Sequence, residues 1–422
     1  MKTNRLCKLS LAISLSIATT SALASPQAPI SARSFAMGGT GVAVAHPSAA
    51  PLANPAMMAA PMMAAPQHDW ADDFGLMLPS VNARFADEEE VVDQIDDIQD
   101  TIDELEQSIN SLDQGSAQDN AGKLREQLQN FDRDTVRVNA GLGLAVALPG
   151  PSLSVGVMAN GNLTATVRGE YSENDDARLA AVEAGILTPG ITDELESRGS
   201  ILASAVAEVG LSFARSFELS NGEQFQLGIT PKYVELRTFQ YTETVSGFED
   251  DDFDSDEFET DKSGFNLDIG AAYAFGENRE WNAGVVVKNL IPMELDSAQA
   301  RPLLGEEKRT LELNPMVTAA IAHKSDYHVV TAELDLTKKK AFGFEDDTQW
   351  LAVGAEFDAW RYAQLRAGIR HNLASNSDND GIEEDTQFTA GLGLNVLGAR
   401  LDIGALYSSA DVGAAIELGT SF

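Results

Sequence analysis

Apolar and polar residues alternate along most of the chain, most clearly between Thr135 and Arg168. The first arm of this stretch places an apolar residue at every second position from Val136 to Leu148, with Arg137 and Asn139 among the intervening residues. After the turn Pro149-Gly150-Pro151 the second arm repeats the pattern. A period of two indicates β-strands, and each arm exceeds the roughly 5–6 residues of a typical strand. The pattern predicts a hairpin with one apolar face, which fits either a soluble β-sandwich or a membrane barrel.

The same alternation recurs in segments that continue to the C-terminus. The predicted strands are 74–85, 135–148, 153–168, 201–217, 225–245, 265–275, 281–287, 313–324, 327–337, 349–358, 362–372, 387–396, 399–408 and 411–422. The connections alternate between long and short, which is typical of outer-membrane barrels and has no cause in a sandwich. The sequence therefore predicts an all-β fold, a transmembrane antiparallel barrel of about 14 strands with its termini on the short-turn, periplasmic side.

A different periodicity interrupts the strands at 88–131. Apolar residues follow steps of four and three from Val91 to Leu112, and Leu124, Leu128 and Phe131 continue the pattern more weakly. This predicts an inserted helical hairpin on the extracellular side. Two interpretations remain open, a coiled coil that binds a partner and a hairpin whose two arms cover each other. A shorter helical pattern lies within 170–200, from Ala177 to Ile186.

The N-terminal segments predict export and a plug. Residues 1–24 combine positive charge at Lys2, Arg5 and Lys8 with an apolar run and a small-residue cleavage site, as in a signal peptide. Residues 25–73 are rich in Ala, Pro, Met and Gly and carry few charges, which suits a compact plug inside the barrel formed by 74–422. Cys7, the only cysteine, lies in the signal segment, so thiol chemistry is excluded from the mature chain.

Charge and motifs exclude several classes of function. The chain has 65 acidic and 29 basic residues and a net charge of −36, which argues against direct binding of nucleic acid. Acidic loops are predicted at 249–261 and 375–386; the second begins like a calcium loop but has Gln387 where Glu is required. A solvated loop is the favoured interpretation, and loosely bound divalent cations remain open. No catalytic constellation and no cofactor motif stands out, so we do not expect an enzyme.

Charged residues of both signs occupy the predicted inward faces of the barrel. The candidate lumen residues are Arg137, Arg168, Glu208, Lys232, Asp268, Glu356, Arg366 and Arg370. They either line a water-filled path or form a salt-bridged filling that holds the plug. The second interpretation is favoured because buried charges are usually paired.

The start of the mature chain resembles a known family. Ala36 to Ala45, followed by Asn54-Pro55-Ala56, is similar to the hatch of the FadL-type outer-membrane transporter superfamily, with Gly38, Gly39, Gly41, Asn54 and Pro55 as the hatch motif. The closer resemblance is to the branch of β-barrel conjugal transfer proteins called TraF. It is not to the thioredoxin-like TraF, since the mature chain lacks cysteine and its pattern is all-β. The terminal Phe422 resembles the recognition signal of the outer-membrane insertion machinery.

The resemblance implies a location and a function. It implies a plugged passive channel for small hydrophobic compounds in the outer membrane of a Gram-negative bacterium, in contact with membrane lipid and lipopolysaccharide. The alternative is a non-transport component that displays the hairpin at 88–131 to a protein partner, as in conjugal transfer.

Overall fold

Fourteen strands of the chain close into an antiparallel barrel, in which β1 pairs with β16. The computed structural model describes residues 31–60, 75–87, 89–219, 223–247, 256–359, 362–374 and 381–421. The strands are β1 Gly75–Asp87, β2 Thr135–Leu148, β3 Ser154–Glu170, β4 Arg198–Glu218, β5 Gln224–Thr244, β6 Glu259–Phe275, β7 Trp281–Lys288, β8 Met293–Asp296, β9 Thr310–Leu313, β10 Met316–Lys324, β11 His328–Asp335, β12 Trp350–Ala359, β13 Ala363–Asn372, β14 Thr386–Val396, β15 Ala399–Tyr407 and β16 Asp411–Ser421. The predicted all-β barrel is confirmed. The predicted signal peptide and Phe422 lie outside the described residues.

Each barrel strand separates its side chains as the alternation predicts. In β2, the Arg137 residue is 1% exposed while its neighbour Val138 is 41% exposed. Large apolar side chains on other strands, such as Val209, Leu351 and Ile403, are likewise exposed on the outer face. Exposed apolar residues of this kind in successive strands form the band that a bilayer covers.

The barrel wall is uneven in height. Strands β3 to β6 have 17, 21, 21 and 17 residues, whereas β7 has 8 residues and β10 has 9. A membrane crossing needs about 9–11 residues of tilted strand. The long strands therefore extend past a bilayer, on the side where the long loops lie.

Three predicted loop boundaries are wrong. The loop predicted at about 292–312 contains the two-stranded sheet of β8 and β9, which four-residue strands are too short to reveal by periodicity. The acidic loop predicted to end at 261 ends earlier, because β6 begins at Glu259. The loop predicted at 375–386 likewise gives way to β14 at Thr386. In both cases polar residues continue a strand beyond the apolar band, because that part of the wall is outside lipid.

Five α-helices lie among the described residues. Two short ones, α1 Ala32–Ala36 and α2 Ala50–Ala53, precede the barrel. The predicted helical hairpin is present as α3 Val91–Asn110 and α4 Gln114–Asn130, and the pattern at 170–200 contains α5 Glu173–Glu183. The three later helices share one apolar core, which includes Leu105 of α3, Leu124 of α4 and Leu179 of α5, all 0% exposed. The apolar seam of α3 is therefore covered by the chain itself.

Candidate functional site

Residues 31–60, which we call the hatch, lie against the inward face of the barrel. Ser31 caps α1 by accepting a hydrogen bond from the Ser34 N–H at 3.0 Å. Gly38 and Gly39 follow with φ of 73° and 89°, a conformation that favours glycine and ends the helix. The Gly38 N–H then donates to Thr389 Oγ1 of β14 at 2.8 Å. The two glycines thus turn the backbone of the hatch onto the barrel wall.

The remaining residues of the hatch motif take part in hydrogen bonds within the hatch and to the barrel wall. Glu333 of β11 accepts hydrogen bonds from the N–H groups of Gly41 and Val42, both at 2.7 Å. The amide of Asn54 donates to Val42 O at 2.9 Å and to Ala271 O of β6 at 3.2 Å. Its Oδ1 accepts from the Ala56 N–H at 3.1 Å, which caps the short 3-10 turn begun by Pro55. The motif therefore connects separate parts of the hatch to each other and connects the hatch to the barrel wall.

Glycines in the barrel wall allow this close approach. A methyl group at Gly270 would overlap with the side chain of Asn54, and one at Gly228 would overlap with the backbone at Pro55. Glycines of ten strands meet the hatch in this way, namely Gly75, Gly156, Gly228, Gly270, Gly284, Gly354, Gly368, Gly391, Gly404 and Gly413. Sequence analysis missed this ring, although glycines at inward positions of successive strands are its signal.

A continuous chain of ion pairs between buried and partly buried residues links the hatch to the wall. Arg33 of the hatch binds Glu356 at 2.8 Å, and Glu356 also binds Arg366 at 2.6 Å. Arg366 continues to Asp402 at 2.6 Å. The series then runs through Arg400, 2.8 Å from Asp402, to Glu417, which accepts the Ala32 N–H at 2.9 Å. It begins and ends on the hatch, and we call it the hatch network.

A second cluster ties two long loops to the wall. Arg137 of β2 binds Glu345 at 3.1 Å, Glu384 at 2.6 Å and Asp411 at 2.7 Å. Glu345 lies between β11 and β12, and Glu384 between β13 and β14. Arg84 of β1 binds Glu384 at 2.9 Å and also contacts Asp411. Burial opposes the charge of Glu384, but Arg137 and Arg84 lower its pKa to about 2. We call this cluster the loop network.

The other candidate lumen residues fall into one triad and two stacked pairs. Lys232 of β5 lies 2.8 Å from both Glu208 and Asp268. The Arg168 guanidinium lies 5.0 Å from the centre of the Phe344 ring, and that of Arg370 lies 4.3 Å from the centre of the Trp350 ring. Six of the eight candidates are at most 6% exposed, namely Arg137, Glu208, Lys232, Asp268, Arg366 and Arg370. Sequence analysis missed Arg33, Arg84, Glu345, Glu384 and Asp411, since residues in loops and at strand ends have no periodicity that assigns them a face.

Two cavities lie beside the hatch. The larger one, which we call the hatch cavity, has a volume of about 130 Å³ and is bounded by Leu52 of the hatch and by Lys288, Asp335, Trp350 and Arg370 of the wall. The smaller one, the β1–β3 cavity, has a volume of about 60 Å³ and is bounded by polar residues of β1 to β3 and by the loop before β12. Trp350 and Arg370 are the described residues that line both.

The described part of the chain offers no metal centre and no membrane helix. No group of three or more His, Cys, Asp or Glu residues is placed there to hold a metal ion. No helix in these ranges is long and apolar enough to cross a bilayer.

Comparisons with known proteins agree with this architecture. A family model described as "F plasmid transfer operon, TraF, protein" matches residues 51–335. No curated protein matches the chain.

Solved structures of hydrocarbon channels share the fold. The TodX monoaromatic hydrocarbon channel deltaS2 mutant superposes with a TM-score of 0.53 at 12% identity, over 94% of this chain and 99% of that one; TodX is a protein of Pseudomonas putida. The CymD monoaromatic hydrocarbon channel superposes with a TM-score of 0.52 at 12% identity, over 93% and 97%. These neighbours are channels and not enzymes. The family model covers more than half of the chain, and the protein therefore belongs to the TraF family so described, with a barrel fold that it shares with these hydrocarbon channels.

Proposed function

We propose that the protein is a hatch-plugged passive channel of the outer membrane for small hydrophobic compounds. The observation that carries the proposal is the hatch itself, a folded segment seated across a barrel of the hydrocarbon-channel fold with a cavity beside it. A barrel that served only as a scaffold would have no need of a cavity next to its plug. The described chain begins at Ser31 and ends at Ser421, on the short-turn side, which supports periplasmic termini.

The hatch network supports a structural role for most of the lumen charges. Arg366 and Asp402 each face charged partners at 2.6–2.8 Å and are almost fully buried. Buried ion pairs with this geometry hold elements in register, and they leave little charge free to attract ions. We infer that the charges seal the hatch, and that solute passes along the cavities at its edge.

Uptake into proteoliposomes tests the channel. The mature full-length chain should admit a labelled aromatic hydrocarbon such as toluene faster than protein-free vesicles do. Deletion of 31–60 should raise the rate further and make it less selective, since the lumen would then be open. Deletion of 91–130 is the matched control, because those helices lie away from the hatch, and it should leave uptake unchanged. A closed barrel after removal of the hatch would overturn the proposal.

A role in DNA transfer rests on the family description alone. The helices at 91–130 would be the surface for a partner, but their apolar faces are packed against each other and α5. Loss of transfer on deletion of 91–130, with normal barrel assembly and uptake, would favour this alternative. We also propose that the barrel contacts lipopolysaccharide and that the outer-membrane insertion machinery recognises it.

A further inference from the structure

Arg370 and Trp350 form the partition between the two cavities. Both residues line the hatch cavity and the β1–β3 cavity, and they are the described residues common to both linings. The Arg370 guanidinium lies 4.3 Å from the centre of the Trp350 ring. Any solute that moves from one cavity to the other must therefore pass between them or displace one of them.

Hydrogen bonds to neighbouring residues of the wall hold the two residues in place. Arg370 Nε donates to Gln387 Oε1 of β14 at 2.6 Å, and the Trp350 N–H donates to Asp335 Oδ2 at 3.2 Å. Gln387 is itself fixed by Glu384 at 2.7 Å. The partition thus has a rigid base, anchored to the loop network.

One hydrogen-bond donor of the partition, Arg370 Nη2, has no acceptor among the described residues. Arg370 is 4% exposed, and its Nη2 makes no hydrogen bond to any described residue. Its charge has a neutral partner in Gln387, whereas Arg137, Arg366 and Arg400 each have carboxylates within 3.1 Å. A buried guanidinium with an unused N–H is costly unless a ligand or solvent satisfies it.

We propose that Arg370 and Trp350 form a selectivity site that binds aromatic compounds carrying an oxygen acceptor, such as a carboxylate or a ketone. The ring of the compound stacks on Trp350, and the oxygen accepts a hydrogen bond from the guanidinium of Arg370, which lines both cavities. Aromatic stacking and a charge-assisted hydrogen bond are each favourable interactions. Aromatic cations are rejected by the positive charge of Arg370. The proposal rests on the channel function and adds the class of compound that is preferred.

Equilibrium dialysis of the full mature chain in detergent, with labelled probes, tests the site. The probes are benzoate, acetophenone, toluene and benzylammonium. We expect acetophenone and benzoate to bind about tenfold more tightly than toluene, the ratio that one hydrogen bond to a charged group supplies. Benzylammonium should bind most weakly. Equal affinities for toluene and acetophenone would overturn the proposal.

Variants assign the two roles. Arg370→Gln should abolish the preference for acceptor-bearing probes, and Arg370→Lys should restore part of it, since lysine keeps the charge but lacks the planar fork. Trp350→Leu should weaken all aromatic probes alike. Arg168→Gln is the matched control, since Arg168 also stacks on an aromatic ring but lines neither cavity. Heat-modifiable migration on gels verifies that each barrel has folded.

The outcomes separate this site from the channel itself. If Arg370→Gln binds every probe as Arg168→Gln does, the selectivity site is refuted, whether or not toluene crosses the membrane. If the probes bind selectively but none enters proteoliposomes, the site stands and the transport function fails.

Discussion

The hatch and the helical cluster are both additions to the same barrel, yet the contacts that hold them differ. The cluster of α3, α4 and α5 is built like a small soluble domain, with leucines that are 0% exposed at its centre. The hatch packs apolar side chains such as Phe35, Leu52 and Met58 against the wall, and it adds backbone hydrogen bonds to Glu333 and Glu417 and the hatch network. Apolar burial is non-directional, whereas hydrogen bonds require a geometry. The difference teaches that apolar packing holds the cluster together, while directional polar contacts fix the hatch at one position in the wall.

Arg366→Met should produce the largest effect and bears on the hatch alone. The change leaves Glu356 and Asp402 buried with fewer positive partners, and breaking such a pair costs about 3–5 kcal/mol. We expect a lower midpoint of denaturant unfolding in detergent, together with rapid trypsin cleavage after Arg33, a residue otherwise held by Glu356. Arg366→Lys, which keeps a charge, should lose less. Unchanged cleavage in the methionine variant would show that the network does not hold the hatch.

Leu124→Ala should destabilise the helical cluster without affecting the hatch. Leu124 is 0% exposed in the shared core, and truncation of a buried leucine costs about 2–5 kcal/mol. Amide hydrogen exchange should accelerate throughout α3, α4 and α5, with no change in residues 31–60. Leu112→Ala is the control, because Leu112 is 77% exposed. Faster exchange in the hatch as well would show that the two regions are coupled.

Glu333→Gln tests the contribution of charge to the seat of the hatch. Glutamine retains an oxygen that accepts the Gly41 and Val42 N–H groups, but a hydrogen bond to a neutral acceptor contributes about 1 kcal/mol less than one to a charged group. Amide exchange at Gly41 and Val42 should therefore rise severalfold, while the barrel keeps its unfolding midpoint. Glu312→Gln, in β9 and away from the hatch, is the matched control.

Protonation of Glu384 at low pH should weaken its ion pairs with Arg137 and Arg84 and free the loop that carries it from the wall. At neutral pH Glu384 is ionised and the loop stays bound. Arg137 and Arg84 lower the pKa of Glu384 to about 2 from an ordinary value of 4.5. A carboxylate with a lowered pKa contributes stability above its unfolded pKa and loses it as the pH falls through the folded value. Amide exchange in 381–385 should thus accelerate between about pH 4.5 and 2. Glu384→Gln should remove that step, and persistence of the step would assign it to another carboxyl group.

Alternation along the chain was sufficient to predict the architecture. A period of two in the strands and steps of three and four in 88–131 show which face of each element is apolar. These patterns involve only neighbours in sequence, so they can be identified without a structure. The inward position of Arg137 and Arg370 follows from their neighbours in sequence, Val138 and Ile369, which face outward. For the same reason the hatch motif, whose glycines encode backbone conformation, could be recognised from the residues alone.

Partners across the lumen were decided only by the tertiary structure. Glu356 and Arg33 are 323 residues apart, and Arg137 meets Glu384 from 247 residues away. Barrel closure determines which inward residues face each other, because strand register and tilt set their heights. The unpaired state of Arg370 Nη2 is likewise invisible in the sequence, since it depends on which carboxylates the closed barrel places within reach and which it directs to other arginines.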